Sequence, residues 1–159
     1  LTSVIPKPAS RAEGFLYRSP PGATLLEVRT AMIHLRAVLV DAEVSQLDIS
    51  RIEIVVTEIL NNIVKHAQSE LDQGWFEVQC SFLKEGFHFA CRDNGAPMPN
   101  GTPPGGVMPE INRSKNDLPE GGWGWSLVRA LSANLSYVRT DDINLVSFRI
   151  PSHTSTLGR

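Results

Sequence analysis

The feature that most restricts how this chain can fold is a helical apolar period between residues 50 and 67. Hydrophobic side chains recur there three or four positions apart, so one face of the predicted helix is wholly apolar. These side chains are Ile52, Val55, Val56, Ile59, Leu60, Ile63, Val64 and Ala67. Ser50 and Glu53 have the spacing of a capping box, which predicts that the helix begins near Ser50. We therefore expect a long amphipathic helix that packs against another layer.

Short segments of alternating apolar and polar residues predict a sheet. The predicted strands are residues 11–19, 75–83, 87–93, 135–140 and 144–150. Lys84-Glu85-Gly86 joins the second and third strands as a hairpin, and Asp141-Asp142 provides the turn between the last two. Helical spacing predicts a first helix over residues 25–42, and a third helix follows Gly124. The residues of the third helix that are expected to face inward are Leu127, Val128 and Leu131.

Composition excludes several classes of function. The chain has 159 residues and 42% hydrophobic composition, which is enough for one globular core. A formal net charge of -2, with no run of Lys or Arg, argues against nucleic acid as a direct partner. The apolar runs are too short to span a bilayer and no signal-peptide pattern is visible, so we expect a cytoplasmic protein without a membrane partner. Cys80 and Cys91 lie in apolar stretches and are expected to be reduced and free of metal.

The chain is expected to form a single domain over residues 11–151, between flexible tails at residues 1–10 and 152–159. Residues 94–122 are dense in Pro and Gly and lack any apolar period. A connection of this length is unusual in a compact domain unless it is functional. We therefore interpret residues 96–121 as a lid.

Glu58, Asn62 and His66 are spaced by four on the second helix, so they form one row beside its apolar face. An Asn carbonyl oxygen is a suitable ligand for Mg²⁺, which prefers oxygen ligands and retains several waters. A carboxylate one turn away can accept a proton from an attacking hydroxyl. The alternative is a solvated Glu and Asn on an exposed helix face, with His66 as an ordinary boundary histidine.

Asp93-Asn94-Gly95 follows the third strand directly. This tripeptide has good turn chemistry, and a turn is the simpler interpretation. The functional interpretation is that Asp93 accepts a hydrogen bond from the exocyclic amine of adenine, while Gly95 allows the backbone to approach the base closely.

Gly121-Gly122-Trp123-Gly124 opens directly onto the third helix. Glycines at a helix entry let backbone N–H groups converge on phosphate oxygens, where the helix N-terminus adds a favourable partial charge. The alternative is a flexible helix entry that needs Gly for its geometry alone. Trp123 and Trp125 are candidates for anchoring the lid or for contacting a protein partner.

Taken together, three segments resemble the N, G1 and G2 boxes of the superfamily that contains gyrase, the large heat-shock chaperone, histidine kinases and mismatch-repair ATPases. They are Glu58-Ile-Leu-Asn-Asn62-Ile-Val-Lys-His66, Arg92-Asp-Asn-Gly-Ala-Pro97 and Glu120-Gly-Gly-Trp-Gly-Trp125. The chain is most similar to the anti-sigma factor serine/threonine kinases. The resemblance implies the Bergerat fold, an α+β two-layer sandwich in which about three helices cover one face of a mixed, largely antiparallel sheet.

The same resemblance implies roles for the matching positions and the cofactors ATP and Mg²⁺. Glu58 is implied as the catalytic base, Asn62 as the Mg²⁺ ligand, Asp93 and Gly95 as adenine contacts, and Gly122 and Gly124 as phosphate contacts. Further candidates for the nucleotide site are His66, Trp125 and, through a water-mediated adenine contact, Ser147. Pro97 departs from the family pattern, because many relatives have Gly there, and it stiffens the predicted hinge of the lid.

The leading functional hypothesis is an ATP-dependent protein serine/threonine kinase in a partner-switching circuit. By resemblance, it would sequester a sigma factor and phosphorylate a small anti-anti-sigma antagonist, and it could form a homodimer. One alternative is a detached histidine kinase catalytic domain, which the sequence favours less because no long upstream helix carries a phosphoacceptor His. Another is a nucleotide-gated binding module that no longer transfers phosphate.

Overall fold

The structure is a computed structural model that describes residues 14–68, 71–105 and 123–153. Three predictions concern residues outside these ranges: the N-terminal tail, most of the lid, and the phosphate contact at Gly122. Of the predicted C-terminal tail, Ser152 and His153 are described. The Ser152 hydroxyl and the His153 backbone N–H both donate to the Asp48 carboxylate, at 3.2 and 3.1 Å.

Five antiparallel strands form one sheet in the described part of the chain. They are β1 (Phe15–Arg18), β2 (Phe76–Leu83), β3 (Gly86–Asp93), β4 (Ala133–Thr140) and β5 (Ile143–Pro151). Their order across the sheet is β1-β2-β3-β5-β4. Every pairing between them is antiparallel, so the described sheet is not mixed. The predicted α+β class is confirmed.

Three α-helices accompany the sheet: α1 (Leu25–Asp41), α2 (Gln46–Asn62) and α3 (Trp123–Leu131). The capping box lies at the start of α1, where Thr24 and Glu27 satisfy each other's backbone N–H groups. The sequence prediction placed such a box at Ser50, which is wrong. Helix α2 begins four residues earlier, because the Ser45 side chain accepts a hydrogen bond from the Asp48 N–H at 3.2 Å.

The predicted long helix does not stay a regular α-helix to its end. After α2, residues Ile63–Ala67 form a turn of π-helix. A π turn contains more residues than an α turn, so it shifts the side chains that follow it out of the preceding register. His66 therefore does not continue the row of Glu58 and Asn62 in the way that a spacing of four predicts.

The hydrophobic core lies between the helices and one face of the sheet. Alternate strand residues on that face are buried: Phe76, Val78 and Cys80 on β2, Phe89 and Cys91 on β3, and Val146, Phe148 and Ile150 on β5. Helix α3 contributes Val128, which is fully buried, together with the partly buried Trp125 and Leu131. Leu127 was predicted to face inward, but it is 36% exposed, because one helical step turns it away from the line through Trp125, Val128 and Leu131.

The candidate site depends on the register of β5 with both of its neighbouring strands. Asp141 and Asp142 both have positive φ values, 50° and 62°, which is the geometry of a type I′ hairpin turn. On the other side of β5, the pairing with β3 places Asn144 directly opposite Asp93. Among the described residues, no helix is both long enough and apolar enough to cross a membrane.

Candidate functional site

Asp93 is the central residue of the candidate site. It is the last residue of β3, and the alternation of that strand places it on the helix-covered face with Phe89 and Cys91. Only 2% of Asp93 is exposed. One carboxylate oxygen, Oδ1, accepts hydrogen bonds from the Gly95 N–H at 2.8 Å and from Asn144 Nδ2 at 3.0 Å. The described residues give the other oxygen, Oδ2, no hydrogen-bond partner, so it can accept a donor from a ligand.

Burial raises the pKa of Asp93 above its ordinary value, because the low-dielectric surroundings disfavour the charged form. Three neighbours oppose this effect: the hydrogen bond from Asn144, the backbone N–H of Gly95 and the positive charge of Arg139. The bond from the Gly95 N–H to Asp93 is an Asx turn, so the turn interpretation is confirmed. A buried carboxylate with a shifted pKa and an open acceptor oxygen is in addition a candidate for a binding site.

Asn144 was not singled out from the sequence, yet it makes more contacts in this site than any predicted residue described here. Its Nδ2 donates to Asp93 Oδ1, to the Ala96 carbonyl at 2.9 Å and, more weakly, to the Gly95 carbonyl at 3.3 Å. Its Oδ1 accepts from the Tyr137 hydroxyl at 2.6 Å and from Arg139 Nη1 at 2.7 Å. The sequence held one signal: Asn144 is in phase with the buried residues of β5 and is the polar member of that row.

Gly95 lies where the site meets the end of the long helical segment. A Cβ atom on Gly95 would collide with the backbone carbonyl of Ala67, so only Gly allows this approach. The same carbonyl accepts a hydrogen bond from the Ala96 N–H at 2.7 Å. Carbonyls in the last turn of a helix have no partner within the helix, and here the π turn presents one of them to the loop after β3.

Glu58 and Gly124 are brought together by the packing of α2 against α3. A Cβ atom on Gly124 would overlap the Glu58 carboxylate, whose Cδ would be 3.2 Å away. Gly124 therefore leaves room for this carboxylate beside the first turn of α3. Trp125, a predicted nucleotide contact, is partly buried and packs against the hydrophobic core.

Asn62 shows an unmet hydrogen-bonding requirement. Its Nδ2 atom is buried and has no hydrogen-bond partner among the described residues. A buried donor without a partner costs free energy, about 1–3 kcal/mol, so an acceptor on a bound ligand would relieve it. Asn62 lies one α-helical turn after Glu58, as predicted, whereas His66 is exposed on the π turn.

Ser147 does not join the site. It lies three residues from Asn144 on β5, an odd spacing that places its side chain on the opposite face of the sheet. There its hydroxyl is 2.7 Å from the hydroxyl of Ser136 on β4. The sequence points to the correct strand, β5, for the polar partner of Asp93. It does not identify the residue, because the register of β5 with β3 cannot be read from the sequence.

The chemistry of the side chains at this site suits a Mg²⁺-nucleotide. Within the described residues, no group of three or more His, Cys, Asp or Glu side chains could hold a metal ion. Mg²⁺ usually takes only one or two protein ligands and completes its shell with water and phosphate oxygens. Asn62 can supply one such ligand, and the Asp93 oxygen offers an acceptor for an amino group on a base.

Comparisons with known proteins point to one family. Residues 22–150 match the family model of the histidine kinase-like ATPase domain. The fold is similar to that of the Erythrobacter litoralis EL346 blue-light activated histidine kinase, with 22% identity and a TM-score of 0.52, over 87% of this chain and 43% of that one. The histidine kinase domain from the same protein aligns with 17% identity and a TM-score of 0.48, over 95% of this chain and 72% of that one. The chain thus spans less than half of the first structure, and no curated protein matches it.

The raised pKa of Asp93 predicts a pH dependence of stability. When the pKa of a carboxyl is higher in the folded than in the unfolded chain, the folded chain binds the proton more tightly. Proton binding then stabilises the fold at low pH, and this stabilisation is lost as pH rises through the folded-state pKa. We expect the free energy of unfolding of the wild type, relative to Asp93→Asn, to increase as pH falls from 7 towards the ordinary Asp value of about 3.9. Urea titrations at several pH values measure this difference. A difference that stays flat, or that decreases on acidification, would contradict the burial effect.

Proposed function

The chain belongs to the histidine kinase-like ATPase domain family, and from this premise we propose that it is an ATP-binding regulatory kinase of the anti-sigma type. One observation carries the nucleotide assignment: a buried carboxylate, Asp93, is held at one oxygen by Gly95 and Asn144 and leaves the other oxygen for a ligand. A carboxylate in this position suits an amino group on a base, since a carbonyl in the same place would be repelled.

The rest of the nucleotide is assigned to the surface formed by the end of α2 and the first turn of α3. Mg²⁺, when bound with ATP, neutralises phosphate charge and orients the terminal phosphate for transfer. Asn62 supports this assignment in two ways. Its side-chain oxygen is a suitable Mg²⁺ ligand, and its buried Nδ2 has no hydrogen-bond partner among the described residues. The first turn of α3, beginning at Trp123 and Gly124, supplies backbone N–H groups that are not used within the helix.

Glu58 is the residue that we assign to proton transfer. Its carboxylate lies against Gly124, one helical turn from Asn62, so it is adjacent to both elements assigned to the phosphates. A hydroxyl that approaches the terminal phosphate there would pass its proton to Glu58 as its oxygen bonds to the terminal phosphorus, while the bond from that phosphorus to the β-phosphate oxygen breaks and ADP leaves. Glu58 has no assigned role in holding the base.

The substrate and partners are proposed from the resemblance of the motif around Gly124 to anti-sigma kinases. We propose that the hydroxyl belongs to a Ser or Thr of a small anti-anti-sigma antagonist and that the unphosphorylated antagonist competes with a sigma factor for this chain. The same resemblance favours a cytoplasmic protein and is compatible with a homodimer. Phosphorylation would release the antagonist and leave the chain free to sequester the sigma factor.

A histidine kinase catalytic domain is the second candidate, because one protein of similar fold is a blue-light activated histidine kinase. Such a domain would use the same nucleotide site but transfer phosphate to a His on a partner or on another part of its own protein. The two candidates differ in the chemical stability of the product, since phosphoserine and phosphothreonine survive acid and phosphohistidine does not. Acid treatment of the labelled product separates them.

Asn62 and its neighbour Asn61 provide a matched test of the metal assignment. Asn62→Ala is expected to weaken Mg²⁺-dependent ATP binding by about tenfold or more, because it removes one ligand and one buried donor. Asn61→Ala is expected to have little effect, because Asn61 is offset by one helical step from the row of Glu58 and Asn62. Calorimetric titration of ATP with and without Mg²⁺ measures both. A larger loss from Asn61→Ala would show that the assignment to Asn62 is wrong.

Glu58→Ala tests the kinase assignment directly. We expect ATP affinity to be preserved and single-turnover phosphate transfer to fall by about 10²- to 10⁴-fold, the usual range for loss of a general base. Glu53→Ala is the control, because Glu53 lies on the same helix but pairs with Arg36 at 2.8 Å, away from Gly124.

The assay follows labelled phosphate from ATP to an anti-anti-sigma protein encoded in the same genome. Equal rates for Glu58→Ala and wild type would remove Glu58 as the base. Binding of ATP and partner without any transfer by the wild type would identify a nucleotide-gated module.

A further inference from the structure

The hydrogen bonds around Asn144 fix the orientation of its side chain. A carboxamide can be turned over by 180°, which exchanges its donor and its acceptor ends. Here two donors converge on Oδ1, the Tyr137 hydroxyl and Arg139 Nη1, at 2.6 and 2.7 Å. With Oδ1 held by these donors, Nδ2 must face Asp93 and the carbonyls of the loop after β3. Arg139 and Tyr137 therefore determine that Asn144 presents its Nδ2 group, and not its oxygen, to Asp93.

The orientation of Asn144 in turn fixes Asp93. Nδ2 of Asn144 and the Gly95 N–H both donate to the same carboxylate oxygen, Oδ1. Rotating the carboxylate would break both bonds inside a buried site, where lost hydrogen bonds are costly. If Asn144 were turned over, its Oδ1 would face the carboxylate, and two acceptors would repel each other. The present arrangement leaves Oδ2 as the one oxygen that awaits a donor.

The same residues clamp the loop that follows Asp93. Arg139 Nη1 donates to the Gly95 carbonyl at 2.9 Å, and the Tyr137 hydroxyl accepts from the Met98 N–H at 3.0 Å. From the opposite side, the Ala67 carbonyl accepts from the Ala96 N–H. The loop is thus held from both the sheet and the helical layer, so the atoms that would surround a base are ordered before it binds.

We propose that Arg139, Tyr137 and Asn144 are positioning residues that make this site selective for purines carrying a 6-amino group. They act through Asp93: by fixing Asn144 they keep a single carboxylate oxygen aimed at the amine. This inference rests on the proposed nucleotide site and deepens it. The positive charge of Arg139 adds to the effect, since it favours the ionised form of Asp93, the form that accepts the amine.

A purely structural role for these residues would give a different result. Loosening the loop would weaken every purine nucleotide to a similar degree. Misorienting Asp93 would weaken only those nucleotides that donate a hydrogen bond to it. Purine riboside triphosphate has the ring system, ribose and phosphates of ATP but no 6-amino group, so the ratio of the two affinities isolates the contribution of the amine.

The test measures the dissociation constants of ATP and of purine riboside triphosphate, with Mg²⁺, for the wild type and four variants. The variants are Asn144→Leu, Arg139→Met, Arg139→Lys and Tyr137→Phe. Asn144→Leu and Arg139→Met should reduce the preference for ATP by about tenfold or more, as expected for loss of a buried hydrogen bond to a charged group. Arg139→Lys should restore part of the preference, because Lys keeps a charged donor. Arg149→Met is the control, because Arg149 lies on the same strand as Asn144 but pairs with Glu85 at 3.4 Å.

Tyr137→Phe removes a single hydroxyl and keeps the ring that packs against the core, so it provides a mild variant if Asn144→Leu does not fold. It should lower the preference by less than Arg139→Met does. An unchanged preference in Tyr137→Phe and in both Arg139 variants, with ATP still bound, would overturn the positioning role while leaving the nucleotide site intact. Failure of the wild type to bind either nucleotide would instead overturn the proposed function itself, and the positioning role with it.

Discussion

The hydrogen bond between Asp93 and Asn144 is the interaction on which the rest of the candidate site depends. It joins the end of one central strand to the start of its neighbour and is almost fully buried, with both residues at most 3% exposed. Two buried polar groups at this place are stable only while they pair with each other and with their neighbours. Their pairing also determines the path of the loop after β3, because Asn144 binds the carbonyls of Gly95 and Ala96.

The fold explains how distant segments reach this interaction. The type I′ turn at Asp141 and Asp142 fixes the register of the last hairpin, and the pairing of β5 with β3 then places Asn144 opposite Asp93. On the other side, the π turn at the end of the long helical segment presents the Ala67 carbonyl to Ala96. π turns are often found at functional sites, and this one shapes the boundary between helix and loop.

Much of this could be predicted from local sequence patterns. The alternation of strands and the helical periods gave the α+β class, and the spacing of Glu58 and Asn62 placed both on one side of α2. Two features could not be predicted: the register of one strand against another, and the choice between two nearby residues that can each cap a helix. Asn144 could not be identified because the pairing of β5 with β3 is a long-range property, so only the strand that carries Ser147 could be named. The start of α2 could not be predicted because Ser45 and Ser50 can both cap a helix, and only the packed structure selects Ser45.

The central claim is that Asp93 accepts a hydrogen bond from the amino group of a bound adenine. Calorimetric titration of ATP into the wild type and into Asp93→Asn, at neutral pH with Mg²⁺, tests it most directly. An amide in this position presents a donor as well as an acceptor, so the account predicts binding by the wild type and near-complete loss in Asp93→Asn. Equal ATP affinity in the two proteins would contradict it.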